Sequence, residues 1–282
     1  MVRLAENSYG KSLVRLVRVK RHADRHDFRE WALEVLLQGD FAGCFEEGDN
    51  SKILPTDTMK NTVYSLARKS SAESMEDFAA ELVEFLLRRN PQVSHAEVRV
   101  QEKAWEHLSV QGKPHPTTFV RSTNENQTTK VSRAQSGRLS IVSGFENLMV
   151  MKTAGSSFKG YIKDSLTTLP ESDDRLFGTS IQASWTYATG KLSFSLLRAR
   201  IRETLLAEFA DHTSKSVQHT LYAMAARALE QVPEMEDIEL SMPNKHCLLV
   251  DLSRFGQDNP NEIFVPTDEP HGCIEARVCR HG

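Results

Sequence analysis

Long apolar runs are missing from this chain. Nowhere in its 282 residues does a stretch approach the ~20 consecutive apolar positions that a membrane-spanning helix needs. The start, MVRLAENSYGK, lacks the apolar core of a secretory leader. The end, Cys279-Arg280-His281-Gly282, lacks the small tripeptide that directs proteins to peroxisomes, so a cytoplasmic location is expected. Cysteine is scarce, with residues 44, 247, 273 and 279 the only four and no CxxC pair among them. That spacing argues against a disulfide framework and for reduced thiols. His271, Cys273, Cys279 and His281 crowd the end of the chain, but Cys273, Ile274, Ala276 and Val278 alternate as a strand does. Residues six apart on a strand are about 20 Å distant, too far to share one ion without a bend. No GxGxxG or HExxH pattern occurs, so the usual dinucleotide and zinc-hydrolase frameworks do not apply. A net charge of only −3 excludes a general nucleic-acid binder. The basic run Arg15 to Arg25 alternates with Leu16, Val17 and Val19, which predicts an edge strand with a solvated basic face.

What is present is ordinary globular material: 39% hydrophobic and 26% charged residues, enough for about two domains with their own cores. A weak repeat divides the chain near its middle. Pro91 to Val100 and Pro233 to Met242 share a proline, a glutamate and several apolar positions, and both then alternate as strands. Each follows an amphipathic helix. The first opens at Ser74 and buries Met75, Phe78, Ala79, Leu82, Phe85 and Leu86; the second opens near Ser216 and buries Val217, Leu221, Met224, Ala225, Ala228 and Val232. A further helix precedes each, at about 57–70 and 195–210, and strands precede those, at about 12–20, 30–39, 138–152 and 178–188. Ser122 to Ser136, rich in Ser, Asn, Gln and Thr, reads as the linker, with part of it able to extend strands. The pattern is α+β: two modules, 1–136 and 137–282, each a four-stranded antiparallel sheet with two helices on one face. Such a sheet keeps open edges and a second apolar face, a problem that assembly into a closed barrel would solve.

The most informative segment is Asp49 to Ala67, DNSKILPTDTMKNTVYSLA. Asp57, or Thr56 before it, can cap a helix whose apolar stripe is Met59, Val63 and Ala67. Unpaired N–H groups at such a helix start suit an anion. Together with Tyr9-Gly10-Lys11, Thr167-Thr168-Leu169 through Asp174-Arg175, and Pro243-Asn244-Lys245-His246, this segment resembles the signature of the urate oxidase (uricase) family. The likeness runs from Tyr9 to about Arg280.

That resemblance implies two tandem tunnelling-fold modules per chain, four chains per enzyme, and oxidation of urate by dioxygen without metal or flavin. It implies a proton-handling set of Lys11, Thr56 and His246. A desolvated lysine makes a base available near neutral pH, and an imidazole shuttles protons well. Arg175 and Gln218 would clamp the planar anion with a guanidinium fork and an amide. Phe158 would stack on the purine, Leu169 would close the apolar side, and Val217 would offer its N–H. Asp57 would orient Thr56 or meet the ligand through its backbone. Asn244 with Thr56 would hold water or dioxygen above the ring, as an oxyanion hole holds charge. The pocket would be shared between subunits. A non-catalytic purine- or pterin-binding oligomer of the same fold is the alternative, but a binder has no use for Lys11, Thr56, His246 and Asn244 together.

Overall fold

The computed structural model describes residues 2–121, 123–188 and 192–280, the side chain of Asp268 excepted. Ser122 of the expected linker and His281 of the cysteine–histidine cluster lie outside the described residues. The chain forms two compact units, Met1–Phe145 with Thr186–Ser195, and Glu146–Trp185 with Leu196–Gly282. None of the described helices is long and apolar enough to cross a membrane.

The first unit begins with β1 (Tyr9–Arg21) and β2 (His26–Gly39), an antiparallel pair. Along β2 the residues Trp31, Leu33, Val35 and Leu37 are buried while their neighbours are not, which makes one face the core. A short α1 (Ala42–Glu46) leads to α2 (Thr56–Lys69) and α3 (Met75–Arg89). The sheet continues with β3 (Val93–Lys103), a two-stranded excursion of β4 (Glu106–Val110) and β5 (Lys113–Val120), and then β6 (Asn126–Ala134). β6 pairs with β3 from His95↔Ala134 to Lys103↔Asn126. Most of the supposed linker is therefore a strand. Its β-branched Thr129 and Val131 point into the core, and that alternation outweighed the polar composition. β7 (Ser140–Lys152) follows β6 in the sheet order and passes into the second unit.

Met59, Val63 and Ala67 are the buried stripe of α2, and burying Met59 and Val63 stabilises the unit by about 1.5–3 kcal/mol each. The cap is not as expected. Pro55 occupies the N-cap, Thr56 is already helical, and no side chain caps the helix. In α3, Ser74 does cap, its hydroxyl accepting from the Asp77 N–H at 3.0 Å, an arrangement worth about 1 kcal/mol. Phe85 is only half-buried, beside the guanidinium groups of Arg88 and Arg89, while Val83 and Leu87 join the core. The basic run on β1 is not uniformly solvated either. Arg18 faces the helices and donates to the carbonyls of Ala72 and Ser70, the latter the C-cap of α2, where a cation suits the helix dipole.

The second unit contains most of β8 (Phe177–Tyr187) and of α4 (Phe194–Asp211), with α5 (Val217–Gln231), β9 (Met235–Ser241), β10 (Asn244–Leu249), β11 (Phe264–Gly272) and β12 (Glu275–Cys279). β8 neighbours β9 and β10, β9 pairs with β12, and β10 pairs with β11; the β8–β10, β9–β12 and β10–β11 pairs are antiparallel. Ser216 caps α5 through the His219 N–H at 3.1 Å, and the stripe Val217, Leu221, Met224, Ala225, Ala228 is buried with the following Val232. α5 packs on β9 and β12.

Candidate active site

Lys11, Thr56 and Asp57 belong to the first unit. A bulge decides where Lys11 points. Lys11 pairs with Val35 and Val14 with Leu33, so two residues of β1, Ser12 and Leu13, oppose Glu34 alone. Leu13 adopts a left-handed conformation, φ 55°, to make room. Without the extra residue Lys11 and Val14 would face opposite sides. With it, both share the face of buried Val35 and Leu33, the side on which α2 packs. Gly10 is required here, because a Cβ would sit 1.8 Å from the Val35 carbonyl oxygen.

Thr56 and Lys11 are half-buried. Upstream, the Tyr9 hydroxyl donates to the Leu54 carbonyl at 3.2 Å and accepts from the Leu54 N–H at 2.8 Å, tying β1 to the approach of α2. The Asp57 carboxylate turns onto its own helix and accepts from Lys60 and Asn61. These bonds, Lys60 first and the charge of Lys11 last, hold it below the usual carboxylate range. Asp57 thus has its side chain engaged elsewhere than on Thr56. Its backbone N–H remains in the uncapped first turn.

Phe158, Leu169, Arg175, Val217, Gln218, Asn244 and His246 belong to the second unit. Three segments converge there by backbone hydrogen bonds. Phe158 and Ser172 exchange N–H···O bonds at 2.9 and 3.1 Å, and Arg175 N–H reaches Ser156 O at 2.8 Å. Asp174 accepts from the Ser156 N–H at 3.0 Å. Ser214 accepts from the Ser157 N–H at 2.8 Å and donates to Gly155 O at 2.9 Å, drawing in the start of α5 with Val217 and exposed Gln218.

Arg175 does not form the local ion pair that its aspartate neighbours suggest. Asp173 pairs with Lys159, and Asp174 is held by Ser156. The guanidinium carbon instead lies 5.0 Å from the Phe158 ring centroid, and Nε is buried with no hydrogen-bond partner. Desolvation lowers its pKa, as burying a cation must. Tyr161 stacks on Phe158 at 4.8 Å and 15°, a support the sequence reading missed. An aromatic three residues on, across Gly160, was the signal available. The sequence reading also missed the tether of Asp174 to the Ser156 N–H.

Leu169 is 53% exposed, as are its loop neighbours Ile162 and Leu166 to a greater degree, so this chain by itself does not bury it. Asn244 lies opposite Thr179 of β8, the strand that Arg175 leads into, and opposite Gly272 of β11. His246 lies opposite Thr267, and both side chains are half-buried. Among the described residues, no group of three or more His, Cys, Asp or Glu is placed to hold a metal ion.

Antiparallel sheet backed by paired helices, twice along one chain, with a half-buried guanidinium that has no carboxylate partner among the described residues, defines an α+β protein of the tunnelling-fold class. A family model described as uricase matches residues 7–132 and 141–275. The curated uricase of Arthrobacter globiformis is 39% identical over 99% of this chain and 90% of its own length, and that of Oryctolagus cuniculus is 36% identical over 99% and 95%. The crystal structure of the Arthrobacter globiformis uricase superposes with a TM-score of 0.94 at 38% identity, covering 100% of this chain and 96% of the other. This chain belongs to the uricase family.

Proposed function

We propose that the protein oxidises urate with dioxygen and water, giving 5-hydroxyisourate and hydrogen peroxide. Full-length family membership supports the activity. The observation that carries the site is Arg175, a desolvated guanidinium with an unpartnered Nε beside an aromatic ring. A planar urate anion can take the two parallel donors that no carboxylate occupies. Gln218 completes the clamp from the start of α5, with the Val217 N–H beside it. Phe158 stacks on the purine, backed by Tyr161. Leu169 closes the apolar side.

Lys11 removes the proton, the Thr56 hydroxyl relays it, and His246 is the third member of the relay. The deprotonated ring is electron-rich and reduces dioxygen in single-electron steps; water then replaces peroxide at the purine carbon. Asn244 and Thr56 hold the oxygen species above the ring. Asp57 contributes its backbone N–H. No metal or flavin takes part in this scheme.

In this reading the modules are 1–136 and 137–282, and the two matched family segments support that division. The enzyme is a homotetramer in which Lys11 and Thr56 of one chain face Arg175 and Gln218 of the next. The exposure of Leu169 is consistent with a site completed between chains. Four free cysteines fit a cytoplasmic location.

The test is the ultraviolet absorbance of urate mixed in air with metal-stripped protein, with peroxide measured in parallel. Urate loss with equimolar peroxide is expected. Urate that persists and co-elutes with the protein on gel filtration would overturn the oxidase in favour of a purine-binding module.

A further inference from the structure

The base and its relay partner come from different elements, β1 and α2, and catalysis through them needs a fixed separation. We propose that Tyr9 is the positioning residue that sets it, by holding both backbone groups of Leu54 with one hydroxyl. This rests on the assignment of Lys11 and Thr56 as the proton-handling pair.

The geometry is symmetrical in sequence. Tyr9 lies two residues before Lys11, and Leu54 lies two residues before Thr56. The hydroxyl accepts from Leu54 N–H at 2.8 Å and donates to Leu54 O at 3.2 Å. It therefore stands in for a strand neighbour of a residue that belongs to no strand. Among the described residues, neither backbone group of Leu54 has another hydrogen-bond partner. The tether has a rigid base. The Tyr9 ring meets buried Phe41 edge-on at 4.8 Å, and Gly10 presses β1 against the Val35 carbonyl. Past Gly10 the bulge turns Lys11 to the helix side. Past Leu54, Pro55 starts α2 without any side-chain cap, so no capping side chain fixes Thr56. Burial raises the Tyr9 pKa, which keeps the hydroxyl protonated and able to donate as well as accept near neutral pH.

The experiment compares Tyr9→Phe, Lys11→Met, the double variant and Leu86→Ala in the full-length protein. Tyr9→Phe keeps the ring on Phe41 and loses only the tether. Its kcat should fall by about 10–100-fold, the range expected when a catalytic pair is misplaced by about an ångström. Affinity for a non-oxidisable purine analogue should stay within about threefold, since the clamp is untouched. In the Lys11→Met background the Tyr9 change should add almost nothing, because both act on one step. Leu86→Ala, a core truncation on α3, should lower the melting temperature and leave kcat unchanged. Wild-type kcat in Tyr9→Phe beside an inactive Lys11→Met would overturn the positioning role alone. Loss of kcat in Leu86→Ala in proportion to stability, or full additivity in the double variant, would overturn it in favour of a merely structural tyrosine. Wild-type turnover in Lys11→Met would overturn the base assignment itself, and with it the pair that Tyr9 is said to position.

Discussion

Replacing Arg175 with methionine separates its two possible roles, because they predict opposite changes. The side chain is half-buried, its Nε has no partner, and neither Asp173 nor Asp174 balances its charge. In the free protein this costs stability, since a desolvated charge normally needs a partner. Methionine fills similar volume with no charge to desolvate. The melting temperature should therefore stay level or rise slightly. Binding should suffer instead. Two charge-assisted hydrogen bonds to the urate anion, at ~1.5 kcal/mol each, amount to ~3 kcal/mol. At ~1.4 kcal/mol per tenfold, that is a loss of about 100-fold in affinity. Because the clamp grips ground state and transition state alike, KM should carry most of the loss and kcat little. Calorimetric melting of the free variant and steady-state urate kinetics measure the two halves. A melting temperature lowered by several degrees with KM unchanged would refute the reasoning and make Arg175 a structural residue.

Other outcomes follow from the same geometry. Asp57→Asn should leave kcat and KM within about threefold, because the carboxylate is exposed and, among the described residues, bonded to Lys60 and Asn61 on its own helix; a tenfold loss would show that the side chain acts on Thr56 or the ligand. Ser216→Ala should cost about 1 kcal/mol in denaturant unfolding as the α5 cap is lost, and should also raise KM if Val217 and Gln218 bind urate. His212 lies 3.1 Å from His219 through ring nitrogens, with Lys152 and Glu208 as its charged neighbours. Burial, then His219, depress its pKa, so the unfolded chain binds more protons. Stability should fall as pH drops below about 6.5, the ordinary histidine value, and His219→Asn should flatten that fall. An unchanged pH dependence of the melting temperature in His219→Asn would sink the coupling.

Sequence by itself determined the elements whose signals are local. The 3.6-residue stripes of α2, α3 and α5, the serine caps at 74 and 216, and the alternation of β2 and β3 each reflect burial that neighbouring residues dictate. Sequence also carried the chemistry of the family, since its motifs are strings of particular residue types. It left β6 as a linker of which part could extend strands, because polar threonines mask a strand whose partner lies some thirty residues away. It named Asp57 or Thr56 as the cap where Pro55 stands, with Thr56 and Asp57 already inside the first helical turn.

What only the tertiary structure decided is which side chains meet. A bulge of one residue, legible in no periodicity, turns Lys11 from the open face to the helix-bearing face. The hydroxyl of Tyr9 reaches a backbone 45 residues away, a contact that carries no composition signal. Arg175 loses its obvious aspartate partners to Lys159 and Ser156 because loop hydrogen bonds, not sequence proximity, set where each carboxylate points. Local propensity fixes φ and ψ residue by residue, whereas these placements depend on close packing between segments distant along the chain.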